Sequence, residues 1–138
     1  MDLAQLKSTD NSKFTSDTTF QAVHPVSGDN SLTITIKSAR NPAIRGKLAK
    51  LMTQLTAEQA KLNKTTVTDE QADGITAKID ALNREVASLV FVKFDGLMDG
   101  DKPVKCTDEM KKYLIDNFAW LCEQIVENSA SQQAFFTK

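Results

Sequence analysis

Residues 41–92 read NPAIRGKLAKLMTQLTAEQAKLNKTTVTDEQADGITAKIDALNREVASLVFV, and their apolar spacing decides the fold. Asn41 offers a capping side chain and Pro42 suits the first helical position, so a helix begins there. Ile44, Leu48, Leu51, Leu55 and Leu62 then recur as a heptad seam that runs to about Asn63. Thr68 and Gln71 frame a capping box, in which each side chain serves the other's backbone amide. Ala72, Ile75, Ile79, Leu82, Val86 and Leu89 repeat the spacing on a second helix. The link Lys64–Val67 is too short for anything but antiparallel neighbours. Helices 42–63 and 68–92 are therefore expected to form a hairpin at a small crossing angle, with Leu48, Leu51, Leu55, Ile75, Ile79, Leu82 and Val86 buried between them.

Upstream, the period changes. Leu32, Ile34 and Ile36 alternate with Thr33, Thr35 and Lys37, the pattern of a half-buried strand. Gly28, Asp29 and Asn30 supply turn chemistry before it. A β-hairpin follows, 19–25 against 32–38, with Pro25 at a strand end because it cannot donate to a ladder. Residues 1–18 hold only Leu3, Leu6 and Phe14 as large apolar side chains and read as a mobile arm.

Downstream, residues 90–94 (VFVKF) are apolar on nearly every face, which suits a core segment or a cover for the β-hairpin. Asp95–Lys105 reads as a loop. Thr107 caps a further helix whose first turn carries Asp108 and Glu109, and Met110, Leu114, Phe118, Leu121 and Ile125 keep helical spacing to about residue 130. The fold expected is mainly α, of the α+β kind. An antiparallel helical hairpin and C-terminal helices carry a small N-terminal β-hairpin, all in one domain over 19–138.

Composition narrows the function. The chain has 138 residues, 41% hydrophobic and 25% charged, as one ordinary globular domain would. No apolar run reaches the roughly 20 residues that a bilayer span needs, and the N-terminus lacks the basic and apolar regions of a secretory signal. Two cysteines and one histidine leave little for metal or acid–base constellations. No phosphate-binding glycine run, nucleophile elbow or zinc-protease motif occurs. Asp95, Asp99 and Asp101 do not meet EF-hand spacing, since Leu97 and Cys106 fall on ligand positions. Cys122 is expected as a small buried hydrophobe, and His24 as a strand-end residue with a local hydrogen bond. No enzyme, cofactor or metal site is expected.

Charge is uneven. Residues 1–36 carry a net −2, residues 37–64 a net +6 and residues 65–138 a net −5. The basic segment has no interleaved aromatics, which argues against nucleic acid. It suits an acidic neighbour, so Arg40, Arg45, Lys47 and Lys50 are candidate oligomerisation residues in a head-to-tail homo-oligomer. On the last helix Phe118, Leu121 and Ile125 share one face, whereas Trp120 stands about 200° from Phe118. Trp120, with Phe135 and Phe136 of the tail, is a candidate partner-binding set, because exposed aromatics are enriched at interface hot spots.

Four stretches resemble the tail assembly chaperones of long-tailed phages with non-contractile tails. Leu32–Arg45 is similar to their strand that leads directly into a basic helix. Val86–Gly96 is similar to their apolar segment closing on aromatic-x-Gly, here Phe94-Asp95-Gly96. Gly100–Thr107 resembles their polar turn before a capped helix. Tyr113–Val126 resembles their closing helix with its Glu-Gln-aliphatic run, here Glu123-Gln124-Ile125. The likeness covers about residues 30–138. Where relatives often place Pro beside the closing aromatics, this chain has Asn117-Phe118; helix is expected over 107–130, with Asn117 as its candidate break. The resemblance implies a protein of the host bacterial cytoplasm. It would bind the tape-measure protein, promote tail-tube polymerisation around it and leave before the virion is complete. It also implies contact with the major tail tube protein through a longer frameshifted product. The alternative, from the residues alone, is a coiled-coil interaction module of the secretion-chaperone or regulator kind; neither reading involves nucleic acid or a membrane.

Overall fold

The structure, a computed structural model, describes residues 1–64 and 66–131. It is mainly helical with a small antiparallel sheet. The helices are α1 (Leu3–Lys7), α2 (Arg45–Leu62), α3 (Asp69–Val90), α4 (Asp108–Asn117) and α5 (Ala119–Ala130), with a 3-10 turn at Asn11–Thr15. The strands are β1 (Thr18–Ala22), β2 (Leu32–Ile36), β3 (Phe91–Asp95) and a two-residue pair, β4 (Met98–Asp99) and β5 (Lys102–Pro103).

β1 and β2 form the expected hairpin, with Thr18 opposite Ile36 and Ala22 opposite Leu32. β1 ends at Ala22 rather than 25 and β2 at Ile36 rather than 38, so Pro25 lies three residues beyond the strand, in the connecting turn. α2 and α3 form the expected antiparallel pair. The capping box at Thr68 is present in both directions: the Gln71 amide donates to the Thr68 hydroxyl at 3.2 Å and the Thr68 amide to Gln71 Oε1 at 3.1 Å.

Several boundaries differ from the sequence reading. The first long helix begins at Arg45 rather than 42: Ile44 is its N-cap and offers no side-chain cap, while Asn41 and Pro42 lie in the turn before it, where Asn41 Oδ1 accepts from the Ala43 amide at 2.9 Å. The second helix ends at Val90 rather than 92, and residues 91–95 become a third strand, antiparallel to β2. No turn separates helix from strand. β2 has an open edge on that side, and the aromatic and β-branched run 91–94 satisfies it. A bulge between Thr35 and Ile36 in this ladder leaves Val92 unpaired. It brings Phe91 and Phe94, three positions apart, to the same buried side.

The helix expected over 107–130 is two helices. Phe118 leaves helical geometry at φ −128° and ψ 85°, and the chain turns there without a proline. Asn117 helps, its side-chain amide donating to the Tyr113 carbonyl at 2.9 Å.

The segment 1–18, expected as an arm, contains α1 and the 3-10 turn, and Thr18 already belongs to β1. Asp10 caps the turn, and Phe14 enters the core at 4% exposure with the Arg40 guanidinium 5.6 Å from its ring centroid. Leu3 and Leu6 stay exposed.

The core lies between the inner face of the sheet and α3, α4 and α5. Ile34, Ile36, Val86, Val90, Leu121, Cys122 and Ile125 have almost no solvent contact. α3 is the hub, touching α2, α4 and α5. The helix pair is less buried than its spacing predicts. Leu48, Leu51, Leu55 and Val86 are buried, but Ile75, Ile79 and Leu82 are only half-buried. Far from the sheet the hairpin is two helices wide, so each seam residue has a partner on one side and solvent on the other.

Candidate interaction site

Two faces of α5 meet at Trp120. Its indole sits edge-on to His24 at 5.6 Å between ring centroids and to Phe118 at 6.4 Å, and Phe118 continues the chain of rings to Tyr113. His24 is held in place by its own turn. Its Nδ1 accepts from the Val26 and Ser27 amides at 3.2 and 3.1 Å, so the proton of the neutral ring lies on Nε2. Gln124, one turn beyond Trp120, reaches the same hairpin. Its Nε2 donates to the Val23 carbonyl at 2.8 Å, and its Oε1 accepts from the Val23 amide at 2.9 Å. The side-chain amide thus pairs with the strand end as another strand would. Trp120 and Gln124 together fasten the β1–β2 loop to α5.

Trp120 lines two cavities. One, about 420 Å³, lies under the β1–β2 loop beside Leu32, Leu97, Leu114 and Phe118, with Asp29 among its polar lining residues. The other, about 740 Å³, is an open groove between α2, α3 and α5. Its apolar lining is Met52, Leu55, Ile79, Trp120 and Val126, with Thr56, Gln59 and Asn83 beside them; Glu123 and Glu127 line it from α5, and Ser131 lines it after that helix. The groove exists because α2 and α5 both pack on α3 rather than on each other. An open groove with this mixed apolar and polar lining suits a segment of another chain better than a small reactant.

The predicted site residues are distributed unequally. Trp120 is half-buried and central to both cavities. Phe135 and Phe136 lie outside the described residues. Arg40 and Arg45 come together around a third cavity with Phe14, Leu48 and Met52. Lys47 and Lys50 are exposed on α2, and Lys47 is about 200° around the helix from Arg45, so the four do not form one patch. Phe14 and Gln124 were missed. A capped turn at Asp10-x-Ser12 beside a lone aromatic was a usable sign for the first; nothing local marks the second.

The remaining chemistry is quiet. Cys122 is buried, its thiol donating to the Ile115 carbonyl at 3.2 Å, and burial pushes its pKa up to about 11. Cys106 is exposed, with its sulfur accepting from the Phe94 amide. Among the described residues no group of three His, Cys, Asp or Glu side chains is placed to hold a metal ion, and no helix is long and apolar enough to cross a membrane. No family model, curated protein or solved structure matches the chain.

Proposed function

We propose that the chain is a tail assembly chaperone of a long-tailed phage or prophage. It acts in the host cytoplasm, holding the tape-measure protein in solution while tail-tube subunits assemble around it. The observation that carries the reading is the α2–α3–α5 groove, an open trough in which Met52, Leu55, Ile79, Trp120 and Val126 are flanked by the polar Thr56, Gln59, Asn83 and Gln124 and by the carboxylates of Glu123 and Glu127. A tape-measure chain exposes apolar helix faces until the tube covers them, and such a face lies naturally in a groove of this kind. Release demands that no single contact be tight, so many copies sharing one long ligand supply the binding through avidity.

The four stretches of resemblance support the same reading. They fall on consecutive joints of one fold: β2 into α2, the end of α3 through β3, the β4–β5 turn into α4, and the α4–α5 break. Trp120 is the proposed partner contact at the groove's end, and Arg40 and Arg45 the proposed contacts between copies. Contact with the major tail tube protein belongs to the longer frameshifted product.

The test is co-expression with the tape-measure protein encoded in the same phage. The chaperone reading predicts that tape-measure protein, insoluble alone, becomes soluble and co-purifies. Replacing Met52 and Ile79 by Glu should abolish this while leaving the fold intact, since both are only half-buried. A tape-measure protein that stays insoluble with the wild-type chain points instead to an interaction module of another pathway.

A further inference from the structure

The cavity under the β1–β2 loop shares only Trp120 with the groove, and its lining has a chemistry of its own. His24, Phe118 and Trp120 supply three rings, and Asp29 supplies the one carboxylate; no lysine or arginine lines it. Leu32, Leu97 and Leu114 stand on its apolar side. At about 420 Å³ it has the size of a small-molecule site, in which a few polar groups orient a mostly apolar ligand.

The polar end is set in place by the loop's own bonds. Gly28, at φ 73°, lets the chain bulge opposite His24. The Gly28 amide donates to the His24 carbonyl at 3.0 Å, and the His24 amide donates to the Asp29 carbonyl at 2.9 Å, so Asp29 is held across the loop from His24. Asp29 Oδ1 accepts from the Ser31 hydroxyl at 2.6 Å and from the Ser31 amide at 2.8 Å, and among the described residues nothing donates to Oδ2. The hydroxyl bond, and after it the amide bond, hold the Asp29 carboxyl below its usual range, so it carries its charge.

The rings form a corner in the same cavity. Trp120 stands between His24 and Phe118, 5.6 and 6.4 Å from them between centroids, and inclined at 65° and 64°. Ring faces attract a cation within about 6 Å of their centroids, and a carboxylate adds to that attraction. Rings alone would take any apolar group, and a carboxylate alone any cation; the two together select an organic cation.

We propose that this cavity binds an alkylammonium group, with its nitrogen toward Asp29 Oδ2 and the Trp120–Phe118 corner and its alkyl chain against Leu32, Leu97 and Leu114. A small amine and a lysine side chain both present that group. The site is independent of what fills the groove.

Trp120 is the only tryptophan, so its fluorescence follows occupancy. The experiment titrates hexylammonium, hexanol and hexanoate into the full chain at one ionic strength. Hexylammonium should bind about fivefold or more tighter than hexanol, the worth of one cation–π contact at an open site, and hexanoate more weakly than either. Asp29→Asn, which keeps the oxygen that Ser31 holds, should erase the preference for the cation at unchanged thermal stability. Glu123→Gln/Glu127→Gln should leave it intact, because those carboxylates line the groove instead. Amide resonances of Ser31 and Gly96 should shift on titration, and those of Asn83 and Glu127 should not. Nα-acetyl-lysine methylamide separates the two sources: binding by it as well as by hexylammonium admits a protein lysine, and binding by hexylammonium alone confines the site to small amines. Equal affinity for hexylammonium and hexanol overturns the proposal. So does a cation preference that Asp29→Asn leaves in place or that Glu123→Gln/Glu127→Gln removes. None of these readouts uses a tape-measure protein, so failure here leaves the chaperone test standing on its own.

Discussion

At Gly96 the backbone turns with φ at +87°, and a Cβ there would overlap the carbonyl oxygen of Ser31. This is where β3 leaves the sheet and the loop toward β4 passes the start of β2. The left-handed backbone alone costs a non-glycine residue about 1–2 kcal/mol, and the overlap adds to it. Gly96→Ala should therefore lower unfolding stability by more than about 2 kcal/mol in a denaturant titration. Gly100, also left-handed but in open space, should lose only the backbone share. Gln124 makes a different prediction. Gln124→Ala removes two hydrogen bonds to Val23, each worth about 0.5–1.5 kcal/mol, and should raise hydrogen exchange at the Val23 amide before any global unfolding. Cys122 sets an alkaline limit. Its thiol titrates near 9 when unfolded and at about 11 when folded, so the native state keeps its proton longer. Stability is full below about pH 9 and falls as pH rises through 11, by about 2 kcal/mol from this group. Cys122→Ala should flatten that alkaline fall, and a thiol reagent at pH 8 should label Cys106 alone until the chain unfolds.

The helical elements were legible because their signals are local. The capping box at Thr68 and the cap at Thr107 act within one turn, and both appear in the structure, whereas the start expected at Asn41-Pro42 became a turn and the helix begins at Arg45. β3 was not legible as a strand. Residues 90–94 have no period, and what makes them a strand is the open edge of β2, more than fifty residues away in sequence. The edges of the finished sheet are closed in the same non-local way. Gln124 covers the end of β1, and on β3 the Lys111 ammonium donates to the Val92 carbonyl at 3.0 Å. Seam burial was only partly legible, because spacing gives the face of a helix but not how many layers cover it. Leu48→Ala, at the covered end, should cost about 2–5 kcal/mol, as full core truncations do. Leu82→Ala, which spacing alone puts in the same class, should cost clearly less, about 1–2 kcal/mol, because Leu82 is half-buried. Thermal melts of the two variants side by side check the difference.

For the whole molecule, the ends of β2 differ in charge without forming two uniform patches. The Ser31 end of β2 lies against Gly96 and so beside the loop that carries Asp95, Asp99 and Asp101, with Asp29 just before it. The other end leads through Lys37 to Arg40, Arg45, Lys47 and Lys50. β2 thus separates the loop of Asp95, Asp99 and Asp101, which also holds Lys102 and Lys105, from the Arg40–Arg45 pair, by about 17 Å. The proposed head-to-tail contact starts from that pair, and contacts of this kind generate spirals when they do not close. Arg45→Glu/Lys47→Glu should reduce oligomer size in sedimentation, and added salt should do the same, because exposed pairs are screened. A strictly monomeric wild-type chain at high concentration and low salt would remove the array from the account, but not the groove. The groove is the central claim, and site-specific photo-crosslinking in co-expressing cells tests it most directly. A crosslinking residue at Thr56, on the groove wall, is compared with one at Ala57, exposed on another side of the same helix. The account predicts a tape-measure adduct from position 56 and little or none from 57. An adduct from 57 with none from 56, in a complex that still forms, would place the partner elsewhere and contradict it.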